Sequence, residues 1–230
     1  LAIYENAHII TPIHIIEDYL ENEHIGTTLK GIGTCYRSKV TRKNAIRFSS
    51  LFDPNFDEVL GSLQVEMDIL LGKNNIPENI IVSLDEFVDS LEYIRDNIKI
   101  VDKMFLSYNS GFKVLAEGAQ GTMLDIDHGS YPFITTSTTL SSGALSSLGM
   151  PPQSIEKVYG VFKAYLTRVG NGHMETELTD GVGDFIAQKG KEVGATTGRP
   201  RRCGWLNLDE LKKAVKLNGV TDLIMTKADI

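Results

Sequence analysis

Residues 117–132 read Glu117-Gly118-Ala119-Gln120-Gly121-Thr122-Met123-Leu124-Asp125-Ile126-Asp127-His128-Gly129-Ser130-Tyr131-Pro132. This segment combines three glycines and a proline with one amide, three carboxylates, one imidazole and three hydroxyls. Residues 113–116 directly before it, of which 114–116 are apolar, predict a strand. Because open α/β sheets bind ligands at the carboxyl ends of their strands, the segment predicts a ligand-binding loop in an α/β fold.

A second interpretation of the same segment is purely structural. Asp125, Asp127 and His128 are residue types that commonly close a tight turn through hydrogen bonds from the backbone to their side chains. The residues alone leave both interpretations open.

Length, composition and charge restrict the class of protein. The chain has 230 residues, of which 42% are apolar and 23% charged, as in ordinary globular proteins, and we expect a single α/β domain over 1–230. Its formal charge of −7 argues against non-specific nucleic-acid binding. Cys35 and Cys203 have no CxxC spacing, which predicts neither a disulfide framework nor a zinc site and fits a reducing cytoplasm. No apolar run reaches the length of a membrane helix.

Helical and extended segments alternate along the chain. Capping residues and the spacing of apolar side chains predict helices that begin near Pro12, Phe56, Ser83, Gly183 and Asn207. The second of these is expected to stop at Gly72, and the third to run towards Val101. Together they predict a helical subregion at about 54–108. Apolar runs predict strands over 158–165 and 220–225.

Two glycine-framed segments have the chemistry of anion sites. Residues 26–33 contain Thr27, Thr28 and Lys30, and such a loop can offer backbone N–H groups and hydroxyls to a phosphate, although its spacing matches neither the Walker nor the Rossmann motif. Residues 194–202 hold three arginines and two threonines, which predicts an anion-binding loop. The basic cluster 39–43 can be read as a solvated turn.

The last motif is Thr226-Lys227-Ala228-Asp229, which follows a predicted strand. A carboxylate at this position can accept two hydrogen bonds from N1–H and the exocyclic amine of guanine, whereas adenine offers no such pair of donors.

Taken in order, these segments resemble adenylosuccinate synthetase, which joins aspartate to inosine monophosphate (IMP) with GTP. The resemblance rests on Gly-Thr-Thr at 26–28, the Gln120 loop, Thr-Arg-Val-Gly at 167–170, the arginine loop and the final Thr-Lys-Ala-Asp. It implies a central, mostly parallel sheet wrapped by helices and distantly akin to P-loop hydrolases. It also implies a mechanism in which GTP phosphorylates O6 of IMP and the aspartate amine displaces that phosphate.

The resemblance assigns roles to individual residues. Gln120 is the catalytic glutamine that steadies charge developing at O6. Contacts to IMP are implied for Thr28, Arg42, Gln120, Thr135, Val169 and Arg201. Contacts to aspartate are implied for Thr197 and Arg199, and contacts to GTP for Arg201, Lys227 and Asp229. Arg42 is implied to act in trans, across the interface of a homodimer.

The resemblance also implies that parts of the family's catalytic site are missing from this sequence. The general base, a histidine, a phosphate-gripping lysine and the Mg²⁺ ligand belong to an N-terminal portion of the family that is not found before Leu1, so no metal ligand is assigned. A C-terminal portion is missing as well. We therefore expect a central piece of a cytoplasmic synthetase that binds its substrates weakly and turns over negligibly by itself.

Two alternatives stay open. Thr138 stands where asparagine is expected and Pro200 replaces a basic residue, which allows a diverged synthetase that acts on another 6-oxopurine nucleotide without supporting it. The other alternative, made by loss of both end portions, is a non-catalytic module for nucleotide binding or dimerisation.

Overall fold

The computed structural model describes residues 1–21, 26–102, 113–194 and 198–230. The chain divides into two compact units, Leu1–Lys113 and Val114–Ile230. Helices alternate with mostly parallel strands, which confirms the predicted α/β class. That both units belong to a single domain over 1–230 stays a prediction.

The described part of the first unit is mainly helical. Its helices are α1 (Pro12–Leu20), α2 (Ile32–Thr41), α3 (Phe56–Lys73) and α4 (Leu84–Asn97). Strands β1 (Ala2–Tyr4) and β2 (Lys99–Val101) pair in parallel, with Ala2 opposite Lys99 and Tyr4 opposite Val101. Short 3-10 helices cover Phe48–Phe52 and Glu78–Ile80.

The core of the first unit lies between α1, α3 and α4. Buried apolar side chains recur at helical spacing on each of these helices, as the sequence predicted. They are Ile13 and Ile16 on α1, Leu63 and Met67 on α3, and Phe87 and Leu91 on α4.

The prediction that the helix after Ser83 runs towards Val101 is wrong. Helix α4 begins as predicted, with Ser83 Oγ accepting a 3.2 Å hydrogen bond from the Glu86 N–H, but it ends at Asn97. Residues 99–101 instead form β2, because they pair with β1. The predicted helical subregion 54–108 therefore contains a strand, and its residues 103–108 lie outside the described residues.

The second unit contains three helices and four strands within the described residues. The helices are α5 (Ser141–Leu148), α6 (Gly181–Gly190) and α7 (Leu208–Asn218). The strands are β3 (Tyr159–Lys163), β4 (Tyr165–Arg168), β5 (Arg202–Trp205) and β6 (Asp222–Thr226). Strands β3 and β6 pair in parallel, and β4 and β5 pair antiparallel. Short 3-10 helices cover Thr122–Leu124 and Pro152–Ser154.

The single strand predicted over 158–165 is two strands. Ala164 separates β3 from β4, and each pairs with a different partner. The buried side chains of Tyr165, Ile186 and Cys203 form a small core where β4, β5 and α6 meet. Both cysteines, Cys35 and Cys203, are free and buried.

The prediction of a strand over 113–116 is wrong. These residues have no strand ladder, and Leu115 is 85% exposed, since no described segment pairs with them. The Ser/Gly-rich tract after Thr139 forms α5, whose C-cap residue Gly149 has the left-handed φ of 65° that favours glycine. Among the described helices, none is long and apolar enough to cross a membrane.

Candidate functional site

Asp125 organises the Gln120 loop. Its carboxylate is fully buried and accepts hydrogen bonds from the backbone N–H groups of Asp127 (3.1 Å), His128 (3.1 Å) and Thr139 (2.7 Å). Burial raises the pKa of Asp125, but these three donors outweigh it and hold the pKa below its usual range. The turn interpretation is therefore correct for Asp125, while Gln120 is exposed and has a φ of 62°.

The Gln120 loop is hydrogen-bonded to the segment that carries Thr135. The Thr135 N–H donates to the Leu124 carbonyl at 2.8 Å, and Thr139 Oγ1 donates to the Gly121 carbonyl at 2.9 Å. Within the described part of the chain, Thr136 Oγ1 is buried without a hydrogen-bond partner. The two segments therefore form one hydroxyl-rich surface beside Gln120.

The turn at Val169 is fixed from both sides by arginines. Arg168 donates from Nη2 to the Phe133 carbonyl at 3.2 Å, which joins the end of β4 to the Thr135 segment. Arg202 donates from Nη1 to the Gly170 and Gly172 carbonyls at 3.1 Å and 2.8 Å. Val169 is thus held between the Thr135 segment and the first residue of β5.

Arg202 was grouped by sequence with the anion-binding arginines, and the structure corrects this. Its guanidinium pairs with the Glu177 carboxylate through Nε at 2.6 Å and through Nη2. Hydrogen bonding to Glu177 raises the pKa of Arg202. Glu177 therefore orders the Val169 turn through Arg202.

Hydrogen bonds join residues 192–194 to residues 198–201, which carry Arg199 and Arg201. The Gly194 N–H donates to the Arg199 carbonyl at 2.8 Å, and the Arg201 N–H donates to the Glu192 carbonyl at 3.0 Å. Arg201 also donates from Nη1 to Glu192 Oε2 at 3.0 Å. Both arginines are partly exposed, and the third predicted member of this site, Thr197, lies outside the described residues.

The predicted guanine motif is tied to the end of α6. Lys227 has a φ of 57° and donates from Nζ to the Gly190 carbonyl at 2.7 Å, and Lys189 donates to the Asp229 backbone carbonyl at 3.0 Å. Asp229 is exposed. An open pocket of 280 Å³ beside the motif is lined by Phe185, Trp205 and Lys227 among others. Its aromatic walls suit a planar base.

In the first unit, Asp18 shapes the loop that carries Thr28. The buried Asp18 carboxylate accepts a hydrogen bond from Thr27 Oγ1 at 2.8 Å and another from the Gly31 N–H at 2.9 Å. Thr28 stays exposed. The loop leads directly into the N-terminus of α2, where free N–H groups and the helix dipole favour a phosphate.

Arg42 lies at the opposite end of α2. It is the C-cap residue, with a φ of 61°, and its side chain is exposed. Among the described residues, its guanidinium has no hydrogen-bond or ion-pair partner. Because α2 has 10 residues and rises about 1.5 Å per residue, its two ends lie about 15 Å apart.

His14 lies in a structural hydrogen-bond network. His14 is buried and its Nδ1 lies 3.0 Å from the Thr11 backbone nitrogen, while its Nε2 lies 3.1 Å from Ser38 Oγ. Burial, together with the charge of Arg37, lowers its pKa to about 4. The described residues contain no group of three or more His, Cys, Asp or Glu side chains that could hold a metal ion.

Comparison with known proteins identifies the family. The family model for adenylosuccinate synthetase matches residues 1–230. The chain belongs to the adenylosuccinate synthetase family. It is 45% identical to adenylosuccinate synthetase of Parabacteroides distasonis and 44% identical to that of Porphyromonas gingivalis, and in both cases all of this chain is matched. It spans 56% of the length of each of these relatives.

Two solved structures share the fold. The fully ligated adenylosuccinate synthetase of Plasmodium falciparum matches with a TM-score of 0.86 and 38% identity, over 98% of this chain and 55% of that one. The succinoaminodeoxyadenylate synthetase of cyanophage S-2L, bound to dGMP and dATP, matches with a TM-score of 0.64 and 19% identity, over 98% of this chain and 57% of that one. The second similarity concerns the fold alone.

The structure thus brings part of the candidate site together within the second unit. Hydrogen bonds connect the Gln120 loop to the Thr135 segment, that segment to the Val169 turn, and the turn to β5 beside Arg201. Sequence reasoning offered the turn at Asp125 but missed the contacts that Arg168 and Glu177 make. The only sequence signal for these two is that each is a charged residue near a glycine-containing turn.

Proposed function

We propose that this chain supplies the substrate scaffold of an adenylosuccinate synthetase, which converts IMP, L-aspartate and GTP into adenylosuccinate, GDP and phosphate. The observation that carries the proposal is the hydrogen-bonded series from the Gln120 loop through Thr135 and Val169 to Arg201 in a member of this family. Such a series holds side chains from distant parts of the sequence in one arrangement, as catalysis by positioning requires.

The roles proposed for the individual residues follow from the resemblance, and the chemistry of each side chain suits its role. The Gln120 amide would donate to O6 of IMP, where negative charge develops when a base removes the N1 proton before O6 attacks the phosphoryl group. Thr135 and the backbone at Val169 would hold the nucleotide. Arg199, with Thr197, would bind the aspartate carboxylates, and Arg201 would bridge aspartate and nucleotide, because a guanidinium can pair with two anionic groups.

Binding of GTP would involve the guanine motif. The exposed Asp229 carboxylate would accept hydrogen bonds from N1–H and the exocyclic amine of guanine. The Lys227 stem would lie along the base, and the aromatic pocket beside it supports this placement. Arg201 would contribute a further positive charge to the GTP site.

For the IMP phosphate we propose a site shared by two subunits. Thr28 would contact the phosphate in the loop that Asp18 orders. Arg42 at the far end of α2 would reach the phosphate bound by the other subunit of a homodimer. The separation of about 15 Å along α2 supports this, since it exceeds the reach of an arginine side chain.

Mg²⁺ is proposed as the ion that accompanies GTP. The described residues offer no cluster of carboxylates for it, so none of the roles above depends on a metal ligand in this chain. We propose that the enzyme acts in the cytoplasm, and that the 230 residues alone bind substrates weakly and turn over negligibly.

The identity values favour IMP over another 6-oxopurine nucleotide, because relatives named adenylosuccinate synthetase are 42–45% identical to this chain. The test is a substrate panel on the protein that carries this chain, supplied with aspartate, GTP and Mg²⁺. We expect product with IMP and little with GMP or dGMP. A preference for dGMP would support the diverged synthetase, and folded protein that binds nucleotide without forming any product would support the non-catalytic module.

A further inference from the structure

Glu192 is a buried carboxylate with cationic neighbours. Its side chain is 2% exposed and lies just after α6, at the start of the loop that ends in Arg201. Lys163 Nζ lies 2.8 Å from both carboxylate oxygens, Tyr165 donates its hydroxyl to Oε1 at 2.6 Å, and Arg201 Nη1 donates to Oε2 at 3.0 Å.

These donors keep Glu192 ionised. Burial raises its pKa, but the hydrogen bonds from Lys163, Tyr165 and Arg201 outweigh burial and lower the pKa from its usual value. Burial of the Tyr165 hydroxyl, together with its hydrogen bond to Glu192, raises the pKa of Tyr165, which therefore stays a hydrogen-bond donor. One buried negative charge faces two partly exposed cations, so the cluster retains a net positive charge towards solvent.

The contact to Glu192 uses only part of the Arg201 guanidinium. Among the described residues, Nη1 of Arg201 has a partner in Glu192, and no side-chain or backbone acceptor contacts Nε or Nη2. The backbone reinforces this arrangement, because the Arg201 N–H donates to the Glu192 carbonyl. Glu192 thus fixes one edge of the guanidinium and leaves the other edge for an anionic ligand.

The cluster also connects the arginine loop to the guanine motif. Lys163 ends β3 and lies opposite Thr226, the first residue of that motif. The Gly190 carbonyl, two residues before Glu192, accepts the hydrogen bond from Lys227. The ends of β3, β6 and α6 and the base of the arginine loop therefore meet around one buried carboxylate.

We propose that Glu192 is a positioning residue of the synthetase reaction, which orients Arg201 towards its anionic substrates. This inference rests on the proposed function. It assigns no contact between Glu192 and substrate. The carboxylate is buried, and its oxygens already accept hydrogen bonds from Lys163, Tyr165 and Arg201. Its effect on catalysis is exerted through Arg201.

The test uses Glu192→Gln in the protein that carries this chain, because glutamine keeps the size and removes the charge. We expect catalytic efficiency with aspartate and IMP to fall by about 10- to 100-fold, the range typical of residues that orient metal ligands. Glu192→Asp should lose less, since it keeps the charge. Glu21→Gln, the same substitution in an exposed ion pair with Arg37, should match the wild type.

A double-mutant cycle with Arg201→Leu separates positioning from general stability. We expect Glu192→Gln to change the kinetic constants little once Arg201 is replaced. Full additivity of the two losses, or wild-type kinetics in folded Glu192→Gln protein, would overturn the inference and leave the proposed function intact. An inactive wild type would instead overturn the proposed function and the inference together. If Glu192→Gln does not fold, the cycle with Glu192→Asp decides in the same way.

Discussion

The Asp125 carboxylate accepts a 2.7 Å hydrogen bond from the backbone N–H of Thr139, 14 residues further along the chain. Through its other oxygen it accepts the N–H groups of Asp127 and His128. One buried carboxylate therefore closes the Gln120 loop and attaches it to the segment that carries Thr135. The conformation of the proposed IMP site depends on this residue.

Replacing Asp125 with alanine is expected to destabilise the second unit by roughly 3 kcal/mol, because three buried N–H groups lose an ionised acceptor. Urea unfolding measures this loss. Asp127→Ala removes an exposed neighbouring carboxylate and should cost little. Equal losses in the two variants would contradict the role assigned to Asp125.

His14 is expected to make the first unit sensitive to acid. Its folded pKa of about 4 is below the unfolded value of 6.5, so the unfolded state binds more protons between these two values. The contribution of neutral His14 to the free energy of unfolding is therefore fully present above pH 6.5 and is lost as the pH falls towards 4. The expected loss between pH 8 and pH 5 is roughly 2 kcal/mol. Unfolding titrations at several pH values measure the slope. The slope should flatten in His14→Asn, and an unchanged slope would show that other groups cause it.

Asp229 is expected to select guanine. The Asp229 carboxylate would accept two hydrogen bonds from guanine, whereas the amide in Asp229→Asn can accept only one and turns an N–H group towards the other donor. Catalytic efficiency with GTP should therefore fall by about 10- to 100-fold. Xanthosine triphosphate, which has a carbonyl in place of the exocyclic amine, should become the better donor. Initial rates with both nucleotides measure the change. Retained preference for GTP would place guanine recognition elsewhere.

Arg42 is expected to complete the site of the partner subunit. Arg42→Leu and Gln120→Ala should each be inactive alone. When the two variants are combined and their subunits exchange, about a quarter of wild-type activity should be recovered. Half of the dimers then contain one subunit of each variant, and one of the two sites in each such dimer has neither defect. No recovery despite demonstrated exchange would show that Arg42 acts within its own subunit.

Sequence patterns predicted those features that depend on local chemistry. The apolar spacing of α3 and α4 and the caps at Ser83 and Asn207 all occur as expected. The family motifs identified the protein class because each is a short continuous segment that can be recognised without knowledge of the fold. Roles for Gln120, Thr28 and the other proposed contacts follow from that resemblance and stay predictions.

The features that sequence did not predict depend on tertiary pairing. The helix after Ser83 ends early because β1, almost 100 positions earlier, pairs with residues 99–101. Residues 113–116 look like a strand, but no described segment pairs with them. The sequence predicts Arg202 as an anion-binding charge, whereas the fold brings it into an ion pair with the half-buried carboxylate of Glu177.

The most direct test of the central claim follows the oxygen at position 6 of IMP. The protein that carries this chain is incubated with aspartate, GTP, Mg²⁺ and IMP that holds an isotopically labelled O6, and the products are analysed by mass spectrometry. If GTP phosphorylates O6 and the aspartate amine then displaces that phosphate, adenylosuccinate should form and the label should appear in the released phosphate. Adenylosuccinate accompanied by unlabelled phosphate, or no adenylosuccinate from folded protein, would contradict the account.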